Sequence, residues 1–289
     1  MEEAAPFHIR PLDATFGAVV TGLRLTELDC ETSSALYAAW LEHALLIFPD
    51  QHLDDDAQLA FARRFGELEI ELLTIGNLDE AGRLRDPDDE VMRVMDDNRA
   101  WHADSTFKPI QAKGAVFSAR IVPDSGGETG WADMRAAYEA LDEGMKARLA
   151  PLSAVHALKY GQMGAAMPPI RPGAFGSQYM NIARPPVRPL VKTHPETGRP
   201  SLNIGRHASR IPELEPDESA QLLAELMGFA CRPPRVWTHS WTVGDVVIWD
   251  NRCLLHRVLP WDVRQPRDMR HTRLAGDPVA EFAPGLEAA

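Results

Sequence analysis

The sequence predicts a mainly β protein with flanking helices, built on a double-stranded β-helix (jelly roll) core. Three observations carry this. The final third, "RVWTHSW", "DVVIWDN", "LLHRV" and "RDMRHTRLAG", is a series of short β-branched and aromatic runs separated by Pro, Gly and Asp. The opening "FHIRPLDATFGAVVTGLRL" has the same character. Helical periodicity is confined to a few segments, with no recurring strand-helix-strand alternation.

In order, "SSALYAAWLEH" reads as a helix with Ser33 or Ser34 as N-cap, passing into the buried strand "ALLIF" closed by Pro49. "LDDDAQLAFARRFGEL" repeats the helical logic, with acids in its first turn, arginines in its last and Gly66 beyond. Residues 75–96 read as a charged loop around a short hydrophobic piece. "AKGAVFSARIVPDSGGETGWADM" predicts strand, turn, strand, and "DMRAAYEALDEGMKARLA" one helix begun by Asp133 and ended by Pro151. The Gly-, Pro- and Met-rich stretch 160–189 has no period and reads as a lid or insert, with a disordered connection as the alternative. "DESAQLLAELMGFAC" is a further capped helix.

The 289 residues fit one domain, 1–289, of 45% apolar composition. A net charge of −12 disfavours nucleic acid and anionic membrane as partners, yet leaves room for a small anion held by a few buried arginines. Cys30, Cys231 and Cys253 show no metal-site spacing and their odd number leaves one unpaired, which points to a reduced cytoplasmic protein. The N-terminal stretch is acidic and has no long apolar core, so no secretory signal is expected, and no run reaches about 18 apolar residues.

The stretch "NRAWHADSTFKP" places His102 and Asp104 two residues apart. On a strand, such residues project from one face about 7 Å apart and can converge on one ion. A third ligand would complete one triangular face of an octahedron, the arrangement of non-haem Fe(II) oxygenases. His256, in "VVIWDNRCLLHRV", is the best candidate. An isolated His-x-Asp pair is more often a surface or core feature, and a lone histidine among leucines more often a core residue. Trp101, Trp131 and Trp249 read as core or cavity wall.

The four segments "WHADSTF", "SGGETGWADM", "VVIWDNRCLLHR" and "PRDMRHTRLAGD" occur in one order. Together they resemble the taurine and 2,4-dichlorophenoxyacetate dioxygenase family of Fe(II)/2-oxoglutarate enzymes, over nearly the whole chain from "GAVVTGL" to "LAGD". The likeness is strongest to the phenoxyalkanoate-degrading branch, through "AWHADST", "GAVFSA", "HPETGRPSL" and "WDNRCLLHR". The resemblance implies that His102, Asp104 and His256 hold Fe(II). It implies that Thr129, 25 residues after Asp104, and Arg267, 11 after His256, hold the distal carboxylate of 2-oxoglutarate. Asn98 matches an asparagine lining the site. A buried dicarboxylate needs a bidentate partner that is always charged, which favours arginine over lysine.

The implied reaction uses O2 and converts 2-oxoglutarate to succinate and CO2 while a substrate carbon is hydroxylated. The Asp104 carboxylate argues for hydroxylation, since related halogenases lack it. Attack on the carbon beside an ether oxygen gives a hemiacetal that collapses to a phenol and an oxo acid. The anionic substrate is expected to meet Arg273, with His271 and Lys108 assisting, and "EIELLTI" (69–75) to close the pocket. Taurine-specific relatives carry arginine where this chain has His271, which weakens a sulfonate assignment. The rivals are a sulfonate or alkyl-sulfate dioxygenase, or a zinc-holding or metal-free binding module. The resemblance further implies a homo-oligomer.

Overall fold

A computed structural model describes residues 7–158 and 185–283. The expected lid, 160–189, therefore lies outside the described residues except for its last five. Its architecture is two facing β layers clad by helices. Strands β1 (His8–Pro11) and β2 (Ala18–Thr21) form an antiparallel pair. Helix α1 (Cys30–His43) leads into β3 (Leu45–Phe48), and α2 (Asp55–Arg63) into β4 (Leu68–Gly76). Helix α3 (Glu90–Asp97) precedes the two central strands β5 (Gly114–Ile121) and β6 (Thr129–Asp133). Helices α4 (Met134–Glu139) and α5 (Glu143–Leu149) follow, then β7 (Ser153–His156).

Beyond residue 184 come β8 (Val187–Pro189), β9 (Val191–Thr193), β10 (Pro200–Leu202) and β11 (Ala208–Arg210). Helix α6 (Pro216–Ala230) separates them from β12 (Val236–His239), β13 (Val246–Asp250), β14 (Leu254–Val258) and β15 (Asp268–Leu274). The large sheet has seven strands in the order β1-β2-β3-β13-β5-β15-β4. The three-stranded sheet β12-β6-β14 shares a buried layer with it, and β11-β7-β8 and the pair β10-β9 form separate small sheets. This is the jelly roll expected from the sequence.

The pleat explains why β13 reads as a continuous apolar run. Val246 and Ile248 pack with Trp40, Leu36 and Phe61 on the helix-covered side. Val247 and Trp249 turn the other way, into the layer shared with Trp131 and Leu254 of the smaller sheet. All five β13 residues are buried. Burying a Val, Ile or aromatic side chain contributes roughly 1.5–3 kcal/mol, so this strand is a principal anchor of the two layers.

Several local expectations are corrected. Helix α1 starts at Cys30, capped by Asp29, whose carboxylate accepts the Thr32 N–H at 2.7 Å. Ser33 and Ser34 instead donate to the Asp29 and Cys30 carbonyls one turn back. The helix expected from Asp133 to Pro151 is two, because Asp142 captures the Met145 N–H at 2.8 Å and starts a second N-terminus. Within 75–96, Ile75 and Gly76 complete β4, and Asp89 caps α3, whose Met92 and Met95 are buried. Nor does His102 belong to a regular strand: it makes an isolated bridge to His256, and a turn follows.

Candidate active site

That bridge builds the site. His102 N–H donates to the His256 carbonyl at 3.0 Å, and His256 N–H to the His102 carbonyl at 2.7 Å. The two residues are thus a directly opposed hydrogen-bonded pair, and their ring centroids stand 4.2 Å apart. His256 is held by β14, paired in register with Trp131 of β6. Asp104 arrives by a turn, not by strand alternation. Ser105 takes the left-handed conformation at φ 58°, which costs about 1 kcal/mol or more for a residue with a Cβ. The Ser105 hydroxyl lies 2.9 and 3.0 Å from the two Glu69 carboxylate oxygens, and Asn251 Oδ1 accepts the Asp104 N–H at 3.3 Å. These contacts hold the strained turn.

One ligand atom from each of His102, Asp104 and His256 lies within 4.8 Å of the others. The His102 Nδ1 atom is 2.8 Å from the Ala100 carbonyl, so it carries the proton and Nε2 keeps its lone pair. Burial pushes both imidazoles down, His256 to about 4 and His102 well below the usual value, so both are neutral. For Asp104, burial acts upward, but Arg273 and His271 outweigh it and hold the carboxyl well below the usual range. Asp104 Oδ2 is buried without a hydrogen-bond partner. Two neutral imidazoles, one carboxylate and an unsatisfied oxygen fit a divalent cation.

A second cluster, His194, Asp250 and Cys253, brings ligand atoms equally close, but its donors are consumed. Asp250 takes the Arg252 guanidinium at 2.7 and 2.9 Å and the His194 Nε2–H at 3.0 Å. His194 Nδ1 accepts the Glu196 and Thr197 N–H groups. That cluster ties the "HPETG" turn to β13 and is a structural clamp.

Arg267, immediately before β15, is only 1% exposed and has no carboxylate partner among the described residues. Its Nε donates to the Gly127 carbonyl at 3.3 Å and Nη1 to the Ile75 carbonyl at 3.4 Å, while Nη2 is buried and unsatisfied. Burial pushes it down to about 10. Gly127, at φ +73°, makes room: a Cβ there would stand 3.2 Å from Arg267 Nε. Thr129 opens β6 on the same cavity wall, and its hydroxyl accepts the Trp241 Nε1–H at 2.9 Å, leaving its own proton to donate. A buried guanidinium with no carboxylate partner among the described residues, on the same cavity wall as a hydroxyl with a proton to donate, is built for a carboxylate that enters with a ligand.

Asn98, Thr129, Arg267, His271 and Arg273 all line one cavity with the three presumptive ligands. Leu73 and Ile75 of β4 close one side of it, as expected for 69–75. The residues expected at the substrate have the following contacts. Arg273 Nη2 donates to Asp104 Oδ1 at 2.9 Å, and His271 Nε2 lies 3.5 Å from Asp104 Oδ2, so both face the ligand carboxylate. The Lys108 ammonium is paired with Glu69, away from the cavity lining. Sequence reasoning missed Asn251, Trp241 and Asn77, whose Oδ1 accepts the Arg267 N–H at 2.8 Å. It also missed Arg206 and His207 on the cavity wall.

Residues 8–273 match the model of the family described as taurine catabolism dioxygenase TauD, TfdA family. The chain belongs to that family. A TauD/TfdA relative from Sphingobium herbicidovorans, named (S)-phenoxypropionate/alpha-ketoglutarate-dioxygenase, is 56% identical over 280 residues, covering 96% of this chain and 98% of its own. A relative from Pseudomonas putida, named alpha-ketoglutarate-dependent sulfate ester dioxygenase, is 31% identical over 95% of this chain and 91% of its own. Among solved structures, AAD-2 in complex with Mn(II) and N-oxalylglycine superposes with a TM-score of 0.87 at 36% identity, covering 96% of this chain and all of that one. The chain is thus an enzyme of the TauD/TfdA dioxygenases.

Proposed function

We propose that this protein is an Fe(II)/2-oxoglutarate-dependent dioxygenase that hydroxylates the carbon beside the ether oxygen of a 2-aryloxyalkanoate, with (S)-2-phenoxypropionate-type acids as its substrate class. His102, Asp104 and His256 would hold the iron. Thr129 and Arg267 would hold the distal carboxylate of 2-oxoglutarate, with Asn98 on the wall beside them. The observation that carries the reading is the Arg267 guanidinium, buried and without a counter-ion, in the same cavity as a set of two histidines and one aspartate.

When bound, iron with 2-oxoglutarate and O2 supplies a two-electron oxidant, the co-substrate leaving as succinate and CO2. The chain's own contribution is position and exclusion. Arg267 and Thr129 fix one end of the dicarboxylate and so orient the other toward the presumptive ligands. Arg273 keeps Asp104 ionised and aimed. Phe117, Trp249 and Leu73 make an apolar wall that suits an aryl ring and keeps water from the reacting carbon. The hydroxylated carbon then bears both an ether oxygen and a hydroxyl, and this hemiacetal splits into a phenol and an oxo acid.

Sulfate-ester or sulfonate oxidation is the second reading. His271 beside Asp104 disfavours it, because that position offers no permanent cation to a sulfonate. The decisive experiment is succinate release with Fe(II) and 2-oxoglutarate against (S)- and (R)-2-phenoxypropionate, phenoxyacetate, an alkyl sulfate and taurine, with phenol as second readout. Phenol release with (S)-2-phenoxypropionate is expected; succinate release with the sulfate or sulfonate alone would overturn the assignment. We further read the chain as one catalytic domain, 1–289, working in the cytoplasm as a homo-oligomer. The three cysteines are unpaired, and no helix among the described residues is long and apolar enough to cross a membrane.

A further inference from the structure

An aryloxyalkanoate carries its carboxylate on the carbon to be hydroxylated, so the cation that receives it has to stand close to the iron ligands. Of the cations on the cavity wall, Arg267 is matched to the co-substrate and Arg273 is committed to Asp104 at 2.9 Å. Two guanidiniums remain, Arg206 and Arg257. Arg257, whose Nε is also buried without a hydrogen-bond partner, lies over the face of Trp101, 4.4 Å from the ring centroid, which takes up part of its charge. Arg206 has no such contact among the described residues.

Arg206 is tied directly to the segment that carries His102. Its N–H donates to the carbonyl of Trp101, the residue before His102, at 2.9 Å. Gly205 makes that approach possible: at φ +130°, a Cβ there would stand 3.3 Å from the Trp101 carbonyl oxygen and 3.5 Å from His102 Cα. The Arg206 Nε–H donates to His207 Nε2 at 3.1 Å, which leaves the proton of this neutral ring on Nδ1, 3.0 Å from the Thr106 hydroxyl. One edge of the guanidinium is therefore fixed by a chain that ends two residues from Asp104. Its Nη1 is buried and has no hydrogen-bond partner. No carboxylate among the described residues forms an ion pair with it; Asp97 and Asp104, on the same wall, affect it only through their more distant charges.

Resting on the function proposed above, we infer that Arg206 is the residue that binds the substrate carboxylate, with His207 and Thr106 as its positioning residues, and that Arg273 serves Asp104 instead. A carboxylate meeting Nη1 would complete the one guanidinium edge that the protein leaves open, as charge-assisted pairs require. The ring would then extend toward the apolar wall of Phe117 and Trp249.

The test compares 2-phenoxypropionate with its neutral isostere 2-phenoxypropionamide, in wild type, Arg206→Gln, Arg206→Lys and Arg257→Gln. Affinity is measured under argon by calorimetry on the Fe(II)/2-oxoglutarate protein, and kcat/KM in air by phenol release. Wild type should prefer the acid strongly. Arg206→Gln should weaken acid binding about 30-fold or more and leave amide binding within about threefold, erasing the preference. Affinity for 2-oxoglutarate should stay within about threefold. Arg206→Lys keeps the charge but not the fork, so a partial preference should survive, and it serves if the glutamine variant does not fold. Cleavage by a folded Arg206→Gln variant that still prefers the acid, or loss of the preference in Arg257→Gln, would overturn the assignment of Arg206 alone. A wild-type protein that neither binds nor cleaves the acid would overturn the proposed function and this assignment together.

Discussion

Replacing Arg267 by methionine should leave the metal-free protein about as stable while abolishing tight 2-oxoglutarate binding. Burial lowers this guanidinium from 12.5 to about 10. At about 1.4 kcal/mol per unit, the charged form is disfavoured by about 3 kcal/mol relative to the unfolded chain. Set against this are two long hydrogen bonds, 3.3 Å to Gly127 and 3.4 Å to Ile75, contributing about 0.5–1.5 kcal/mol each, and the faces of Phe117 and Trp261 at 5.9 and 5.4 Å, contributing about 0.5–1 kcal/mol each. Methionine has similar length, no charge to desolvate, and Phe117 and Trp261 as neighbours. The two sides nearly cancel, so the variant should be about as stable as wild type, as when a buried charge gives way to an apolar group of similar volume.

Binding should fall sharply. Removing one partner of a buried charge pair costs about 2–5 kcal/mol, or roughly 30- to 4,000-fold in affinity. Urea melts of the metal-free proteins measure the first effect. Anaerobic titration of the Fe(II) proteins with 2-oxoglutarate, followed by visible charge-transfer absorption, measures the second. Excess 2-oxoglutarate should raise the melting temperature of wild type and leave the variant unmoved. A variant clearly less stable than wild type, or one binding 2-oxoglutarate within about threefold of it, refutes the reasoning.

Asn251→Ala should cost about 1–3 kcal/mol in urea melts and weaken metal binding about 10- to 100-fold in Co(II) titrations, because Asn251 Oδ1 accepts both the Asp104 N–H and the Trp249 Nε1–H at 3.0 Å. Arg273→Gln should likewise weaken Co(II) binding by about 10-fold or more while the preference for acid over amide persists, since its guanidinium holds Asp104. His156 is fully buried with both ring nitrogens unpartnered among the described residues, and burial lowers it to about 3. The unfolded chain therefore takes up this proton first as pH falls, and stability is lost between about pH 6.5 and 3. His156→Leu should remove about 1.4 kcal/mol per pH unit from that acid-side slope; equal slopes in urea melts at pH 6.5 and 5 would count against it.

The sequence made legible those parts of the site that a fixed spacing or a strand period encodes. On β15 the two-residue alternation correctly puts Met269, His271 and Arg273 on one buried face. It says nothing of what stands opposite, and Arg273, on the cavity wall, is paired there with Asp104. The pair His102 and Asp104 was found for a reason that only partly holds: His102 is set by its bridge to His256, and Asp104 by a left-handed serine that no periodicity reveals. Helix starts were misplaced where Asp29 and Asp142 compete with other polar residues for the same orphan N–H groups. Arg206 and His207 sit in the loop "NIGRHAS", which has no period at all; the Gly before an Arg-His pair was the one available signal.

Charge explains why an acidic chain can hold an anion site. The protein carries a net −12, yet the cavity wall brings four arginines, 206, 257, 267 and 273, together with only two acids, Asp97 and Asp104. The surplus of two positive charges rises to four with a ferrous ion. A dianionic co-substrate and a monocarboxylate would bring it back to one, so each entering anion relieves a repulsion that the empty site bears. The acidic exterior opposes approach while the cavity favours capture. For a monoanionic substrate these two fields have opposite sign and different screening, because salt weakens the exposed one far more than the buried one. The KM for phenoxypropionate should therefore fall or hold as ionic strength rises from about 0.01 to 0.15 M, whereas capture by surface lysines and arginines would make it climb.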